Sequence, residues 1–254
     1  MSDKKVIFNG VIWSAVDKLS VIGIQIVLEI ILARLLLPAD FGIIGMAVIF
    51  ISIGQVFVNA GFSDALIQKQ DRSEIDFSTA FYINLSLSLI FYIALFFSAP
   101  FIANFFHLPI LKDVVRMGGL TVIITSLALV HKTKLTISLN FKTQAKYSFS
   151  SVLISGLVGV VLAYCHYGVW ALVYQSLTQS LLNTVFYWVR FRWLPMMVFS
   201  RDSFNRLFHF GSKLLVAGLI QALYQNMYSF VIGRRYRAAD LGLFAKAGQF
   251  TLMP

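Results

Sequence analysis

Long apolar runs separated by short polar connectors organise the chain. They cover residues 10–37, 41–62, 77–106, 114–130, 147–165, 167–191 and 208–233. A helix needs about 20 mostly apolar residues to cross a bilayer, and only helices satisfy their own backbone groups in lipid. The runs are too long for barrel strands. The pattern therefore predicts an all-α polytopic membrane protein. Pro100 is expected to kink or end the third span. The first run is interrupted by Asp17 and Lys18, with no small-residue cleavage site after it, and reads as a retained span rather than a removed leader. After Asp240 comes LGLFAKAGQFTLMP, 14 residues that read as the beginning of an eighth helix, so that the chain is expected to stop part-way through it.

Inside several runs the polar residues share a face. At 100° per residue, Ser14, Lys18, Gln25 and Glu29 of the first span fall within about 60°, with Asp17 to one side. Ser52, Gln55, Asn59 and Ser63 share an arc of about 80° at the second, and Gln175, Gln179 and Asn183 lie on one face of the sixth. In the seventh, Lys213, Gln221, Tyr224, Gln225 and Tyr228 share about 120°. Charges in hydrocarbon are costly and face a cavity or a partner. Two separated charges on one face of the first span thus predict a water-filled cavity. Its candidate lining is Lys18, Gln25, Glu29, Gln55, Asn59, Gln175, Gln179, Lys213, Gln221 and Gln225. Lys18 and Lys213 would suit an anionic headgroup such as a phosphate diester or pyrophosphate. Two other readings stay open: the amides and hydroxyls join helices by hydrogen bonds, or the lysines snorkel to the cytoplasmic boundary.

Composition narrows the class. Of 254 residues, 58% are hydrophobic and 13% charged, against about 25% charged in a soluble domain. That excludes an ordinary cytosolic enzyme, a disordered chain and a disulfide-rich module. The net charge of +10 concerns topology before nucleic acid, and no nucleic-acid partner is expected. With the N-terminus in the cytoplasm, the inside connectors hold twelve Lys and Arg and the outside connectors six. This bias favours N-terminus in, although Arg234, Arg235 and Arg237 fall outside. Cys165, the lone cysteine, reads as a small apolar side chain inside a helix, and the four histidines read mostly as interfacial residues near helix ends. Asp71, Glu74 and Asp76 read as a solvated charge run. No phosphate-binding loop or nucleophile motif stands in context. The expectation is no enzyme, no catalytic residue, no metal and no cofactor.

Shifting the chain by 200 residues aligns ILARLLLPADFG (31–42) with VIGRRYRAADLG (231–242). Arg34, Ala39, Asp40 and Gly42 recur as Arg234, Ala239, Asp240 and Gly242, and nine of forty positions match over 11–50 and 211–250. Asp-x-Gly after a span suits a tight turn opening the next helix. Such repeats pack around a central site in transporters. The expected division is a six-helix bundle over 1–200 and the start of a second bundle, helix seven and part of helix eight, over 201–254.

ARLLLPADFGIIGMA (33–47), FVNAGFSDALIQKQDRSEIDFSTAFYINLSLSL (57–89), LNFKTQAKYSFSS (139–151) and YGVWALVYQSLTQSLLNTVFYW (167–188) resemble, in this order, the Wzx-type polysaccharide flippases. The subgroup they most resemble is that of the colanic-acid exporter, in the multidrug/oligosaccharidyl-lipid/polysaccharide exporter superfamily. The resemblance implies two six-helix bundles and an alternating-access flippase. It would carry undecaprenyl-pyrophosphate-linked repeat units across a bacterial inner membrane. The implied partners are the lipid-linked oligosaccharide, membrane lipids and a polysaccharide polymerase machinery. Two alternatives remain: a cation-coupled multidrug antiporter using Asp17 or Glu29, or an inactive truncated fragment.

Overall fold

The architecture is all helix, as the apolar runs require. The computed structural model describes residues 21–59, 62–69, 71–191 and 193–251, the side chains of Phe210, Gln249, Phe250 and Thr251 excepted. Lys18, Asp17 and Ser14 therefore lie outside the described residues. Helix α1 is described over 21–35. It is followed by α2 (Pro38–Val58), α3 (Phe62–Gln68), α4 (Glu74–Phe106), α5 (Ile110–Ile137), α6 (Phe141–Tyr164), α7 (Val169–Arg190), α8 (Arg201–Arg235) and α9 (Ala238–Thr251).

Among the described residues five segments are long and apolar enough to cross a membrane: Pro38–Gln68, Glu74–Phe106, Ile110–Ile137, Phe141–Tyr164 and Gly211–Arg235. They coincide with five of the seven expected spans, and the chain is a multi-pass membrane protein. The first span is only partly described. α7 has the length, at 22 residues, but Gln175, Gln179, Asn183 and four hydroxyls between Ser176 and Thr184 lower its mean hydropathy. Pro100 does not end its helix, for α4 continues through it to Phe106.

Three helices close on the same reversal. His107, Leu139 and His166 stand in the left-handed region at φ 56°, 53° and 62°. The amide one residue further on reaches back to the helix in each case: Leu108 to Ala103 O, Asn140 to Leu135 O and Tyr167 to Leu162 O, at 3.0–3.1 Å. This closure satisfies carbonyls that the helix end leaves free and turns the chain sharply at each of the three helix ends; α4 then packs along α5 and α6 along α7, while α5 and α6 touch only slightly. Cys165 is the exposed cap of α6 rather than an apolar residue inside it. His131 departs from the interfacial expectation in the other direction. It is fully buried in α5, between the rings of Trp188 and Trp193 at 4.8 and 5.5 Å.

The acidic connector is solvated only in part: Asp71 is exposed, whereas Asp76 and Glu74 are tied into the fold. Asp76 is 1% exposed; it accepts from Ser73 N–H at 2.8 Å and pairs with Lys69 at 2.5 Å. Glu74 accepts from Lys134 at 2.8 Å and from Trp193 Nε1 at 2.6 Å. The 193–200 linker lies against α4, Met196 N–H donating to Ser78 Oγ (3.0 Å) and Ser200 N–H to Thr79 Oγ1 (3.2 Å). Sequence spacing could not show this, because the partners are more than 100 residues apart.

The repeat is a structural one. Residues 21–40 and 221–240 share one secondary-structure pattern, a helix, a two-residue break and a second helix. Leu37 N–H donates to Asp40 Oδ2 at 3.0 Å, and Arg237 N–H donates to Asp240 Oδ2 at 3.1 Å. The two copies then meet across a local pseudo-twofold. A methyl group on Gly42 would stand 1.7 Å from the Ala238 carbonyl oxygen, and one on Gly242 would stand 1.9 Å from the Pro38 carbonyl oxygen. Each glycine therefore lets the backbone of the other repeat approach. α2, which packs against α4, α5, α7, α8 and α9, is the central element. Its Met46 and Ala47 enter a core with Ala99, Phe106, Leu111, Val115 and Leu241.

Candidate functional site

Polar residues in an apolar bundle must find one another or water, and those of α1, α2, α5, α6, α7, α8 and α9 do so at two adjoining cavities. One, of about 530 Å3, is lined by Gln25, Glu29, Gln175, Ser176, Gln179, Asn226, Ser229 and Lys246. The other, of about 490 Å3, is lined by Gln55, Asn59, Lys132, Gln144, Ser176, Gln179, Asn183 and Tyr187. Ser176 and Gln179 belong to both. The pair therefore runs along the polar face of α7 from Leu172 to Tyr187, about 22 Å at 1.5 Å per residue.

The two cavities differ in chemistry. Glu29 Oε2 and Lys246 Nζ stand 3.5 Å apart on the wall of the first, and the same ammonium lies 4.3 Å from the centre of the Phe41 ring. Among the described residues the second is lined mainly by amides and hydroxyls, with one cation, Lys132, and no carboxylate. There Thr125 Oγ1 donates to Gln55 Oε1 at 3.3 Å and Gln144 Nε2 to Thr136 Oγ1 at 3.1 Å. Asn183 Oδ1 is buried with no protein partner among the described residues. Such a wall can exchange hydrogen bonds with a neutral hydroxylated ligand. Among the described residues no group of three His, Cys, Asp or Glu stands together as a metal site would require.

Of the residues singled out from the sequence, Gln25, Glu29, Gln175 and Gln179 meet in the first cavity, and Gln55 and Asn59 join Gln179 in the second. Lys213, Gln221 and Gln225 are exposed and line neither. The polar arc of α8 is not the face it turns toward α2. That face is its seam of small residues: Gly218 lies against Val56, Ala222 is buried, and Gly233 lies against Met46. Asn226 and Ser229 continue the seam into the cavity. Close packing of membrane helices favours small residues at the contact, and that signal would have found Asn226. Ser229 is the repeat equivalent of Glu29, so the 200-residue shift would have found it. Lys246 was hidden by the shortness of the last apolar run.

Comparisons with known proteins bear on the family of the chain. A family described as polysaccharide biosynthesis protein matches residues 31–254. The teichuronic acid biosynthesis protein TuaB of Bacillus subtilis is 28% identical over 98% of this chain and 52% of its own length. The succinoglycan biosynthesis transport protein ExoT of Rhizobium meliloti is 25% identical over 98% and 51%. The lipopolysaccharide biosynthesis protein WzxC of Escherichia coli K12 is 23% identical over 100% and 52%. The chain thus spans about half the length of these relatives. No solved structure matches.

Proposed function

Because the chain belongs to the polysaccharide biosynthesis protein family, we propose that it takes part in moving a lipid-linked oligosaccharide across the bacterial inner membrane, the polar head travelling through the joined cavities. The observation that carries this reading is the convergence of six sequence-predicted polar residues on one cavity pair inside an otherwise apolar bundle. In this reading the Glu29–Lys246 cavity receives the pyrophosphate, since an ammonium beside a carboxylate can exchange that partner for a phosphate oxygen. The amide and hydroxyl wall around Gln55, Asn59, Gln144 and Asn183 hydrogen-bonds the sugar.

Residues 1–200 form the first bundle and 201–254 begin the second. The end of the molecule carrying α3, the α5/α6 turn and the 193–200 linker faces the cytoplasm, in keeping with Lys69, Arg72, Lys134, Lys142, Lys146, Arg190, Arg201 and Arg206 there. Alternating access then consists of the two repeats parting at the Gly42/Gly242 crossing while the linker holds the cytoplasmic side of α4. The saccharide polymerase machinery would take up the cargo on the far face. No step in this cycle makes or breaks a covalent bond, so the protein acts as a transporter rather than an enzyme.

Surface polymer in cells lacking the gene tests the reading. Gln179→Leu, at the junction of the cavities, is expected to restore less than a tenth of the polymer that the parent restores, at equal protein level in the membrane. Full restoration would overturn the cavity assignment. Drug resistance restored without polymer would favour a cation-coupled antiporter with Glu29 as its carboxylate.

A further inference from the structure

The 193–200 linker and the first turns of α8 carry an apolar surface that the rest of the molecule leaves open. Leu194, Met196, Met197, Val198 and Phe199 are all exposed, Met197 at 98%. The surface continues into α8: the Phe199 ring lies 6.0 Å from that of Phe204, which stacks at 5.4 Å on the exposed Phe208. The segment is nonetheless held in place, since Trp193 Nε1 donates to Glu74, Met196 N–H to Ser78 and Ser200 N–H to Thr79. Basic residues bracket it. Residues 190–206 hold Arg190, Arg192, Arg201 and Arg206 against one acid, Asp202. Arg190, Arg201 and Arg206 are exposed, and none of the three stands in an ion pair among the described residues. The spanning part of α8 begins at Gly211, so this surface stands immediately before a membrane span.

We propose that residues 193–208 dock into the headgroup layer of the membrane and that the bracketing arginines select anionic phospholipid there. Three requirements meet in that layer. Exposed Leu, Met, Val and Phe side chains gain by leaving water. The backbone of 193–200 is neither helix nor strand, and its polar groups would go unsatisfied in the hydrocarbon core. The guanidinium groups call for an anion, and phosphate oxygens accept from them in pairs. Only the boundary between headgroups and acyl chains offers apolar contact, water and phosphate together. The membrane is also the partner already at hand, because the chain enters it within three residues of Phe208. The inference does not depend on the cargo. It gives the linker, held by α4 on one side, a second attachment on the other.

The purified chain carrying Cys165→Ser and Met197→Cys, labelled at residue 197 with a fluorophore and reconstituted in nanodiscs, tests it. The probes are phosphatidylglycerol and phosphatidylcholine, each bearing a nitroxide quencher at the same shallow acyl position. Both lipids are expected to quench, phosphatidylglycerol about threefold more strongly at equal content, and added salt should shrink that difference. Arg190→Gln, Arg192→Gln, Arg201→Gln and Arg206→Gln together should bring the two lipids to equal quenching. Phosphatidylcholine should quench this variant as it does the parent, which also reports that the variant is folded. Equal quenching in the parent, or a difference that salt leaves unchanged, overturns the selection of anionic lipid by the arginines. Quenching by neither lipid puts residue 197 in water or under protein, and overturns the docking surface itself.

Discussion

Glu29 and Lys246 come from different repeats and meet at 3.5 Å on a cavity wall, where each lessens the cost of placing the other among apolar helices. If the diphosphate competes with Glu29 for the ammonium, removing one or the other partner has opposite effects. Lys246→Ala should weaken inorganic pyrophosphate binding, and Glu29→Gln should strengthen it. Each change should be worth about 1–2 kcal/mol, roughly five- to thirtyfold in affinity. Titration of both purified variants reads the two signs. A weakening in both would mean that the pair is structural and that its lysine is not the phosphate ligand. At this scale the sequence was informative where a helix had one polar face and misleading where it had two kinds of face. α1, α2 and α7 turn their amides toward the cavities. α8 has both a polar arc and a seam of small residues, and the seam wins the contact with α2. Gln221 and Gln225 are exposed for that reason.

Among the elements, α2 and α9 are held by two reciprocal approaches of glycine to carbonyl. The neighbour in each case is backbone rather than the end of a flexible side chain, so nothing nearby can yield cheaply. Gly42→Val and Gly242→Val should each destabilise the purified protein by about 1–3 kcal/mol, the usual cost of overpacking, seen as a lower melting temperature. The pseudo-twofold predicts similar losses at both positions. A loss at Gly42 with none at Gly242 would contradict it. The Asp-x-Gly repeat was visible in the sequence because it combines a local cap with a packing requirement, and both leave a fixed spacing. The linker's hold on α4 left no such trace. Its donors are the backbone amides of Met196 and Ser200, which any residue other than proline supplies.

Seen whole, the molecule places its polar interior in two adjoining cavities, the first at the junction between its two repeats and the second within the first repeat. The all-α class and the five well-formed spans were legible because hydropathy responds directly to lipid. Which helices would touch was not, for the apolar faces of membrane helices are chemically alike and only small residues mark their contacts. The central claim is that a saccharide head crosses through these cavities. The most direct test is translocation in proteoliposomes carrying a polyprenyl-linked oligosaccharide with a fluorescent label on its sugar. Protein-containing vesicles should expose the inner-leaflet label to a membrane-impermeant reductant far faster than protein-free vesicles, and Gln179→Leu should return the rate toward that of the empty membrane. Inner-leaflet label protected as well with the protein as without it would contradict the account.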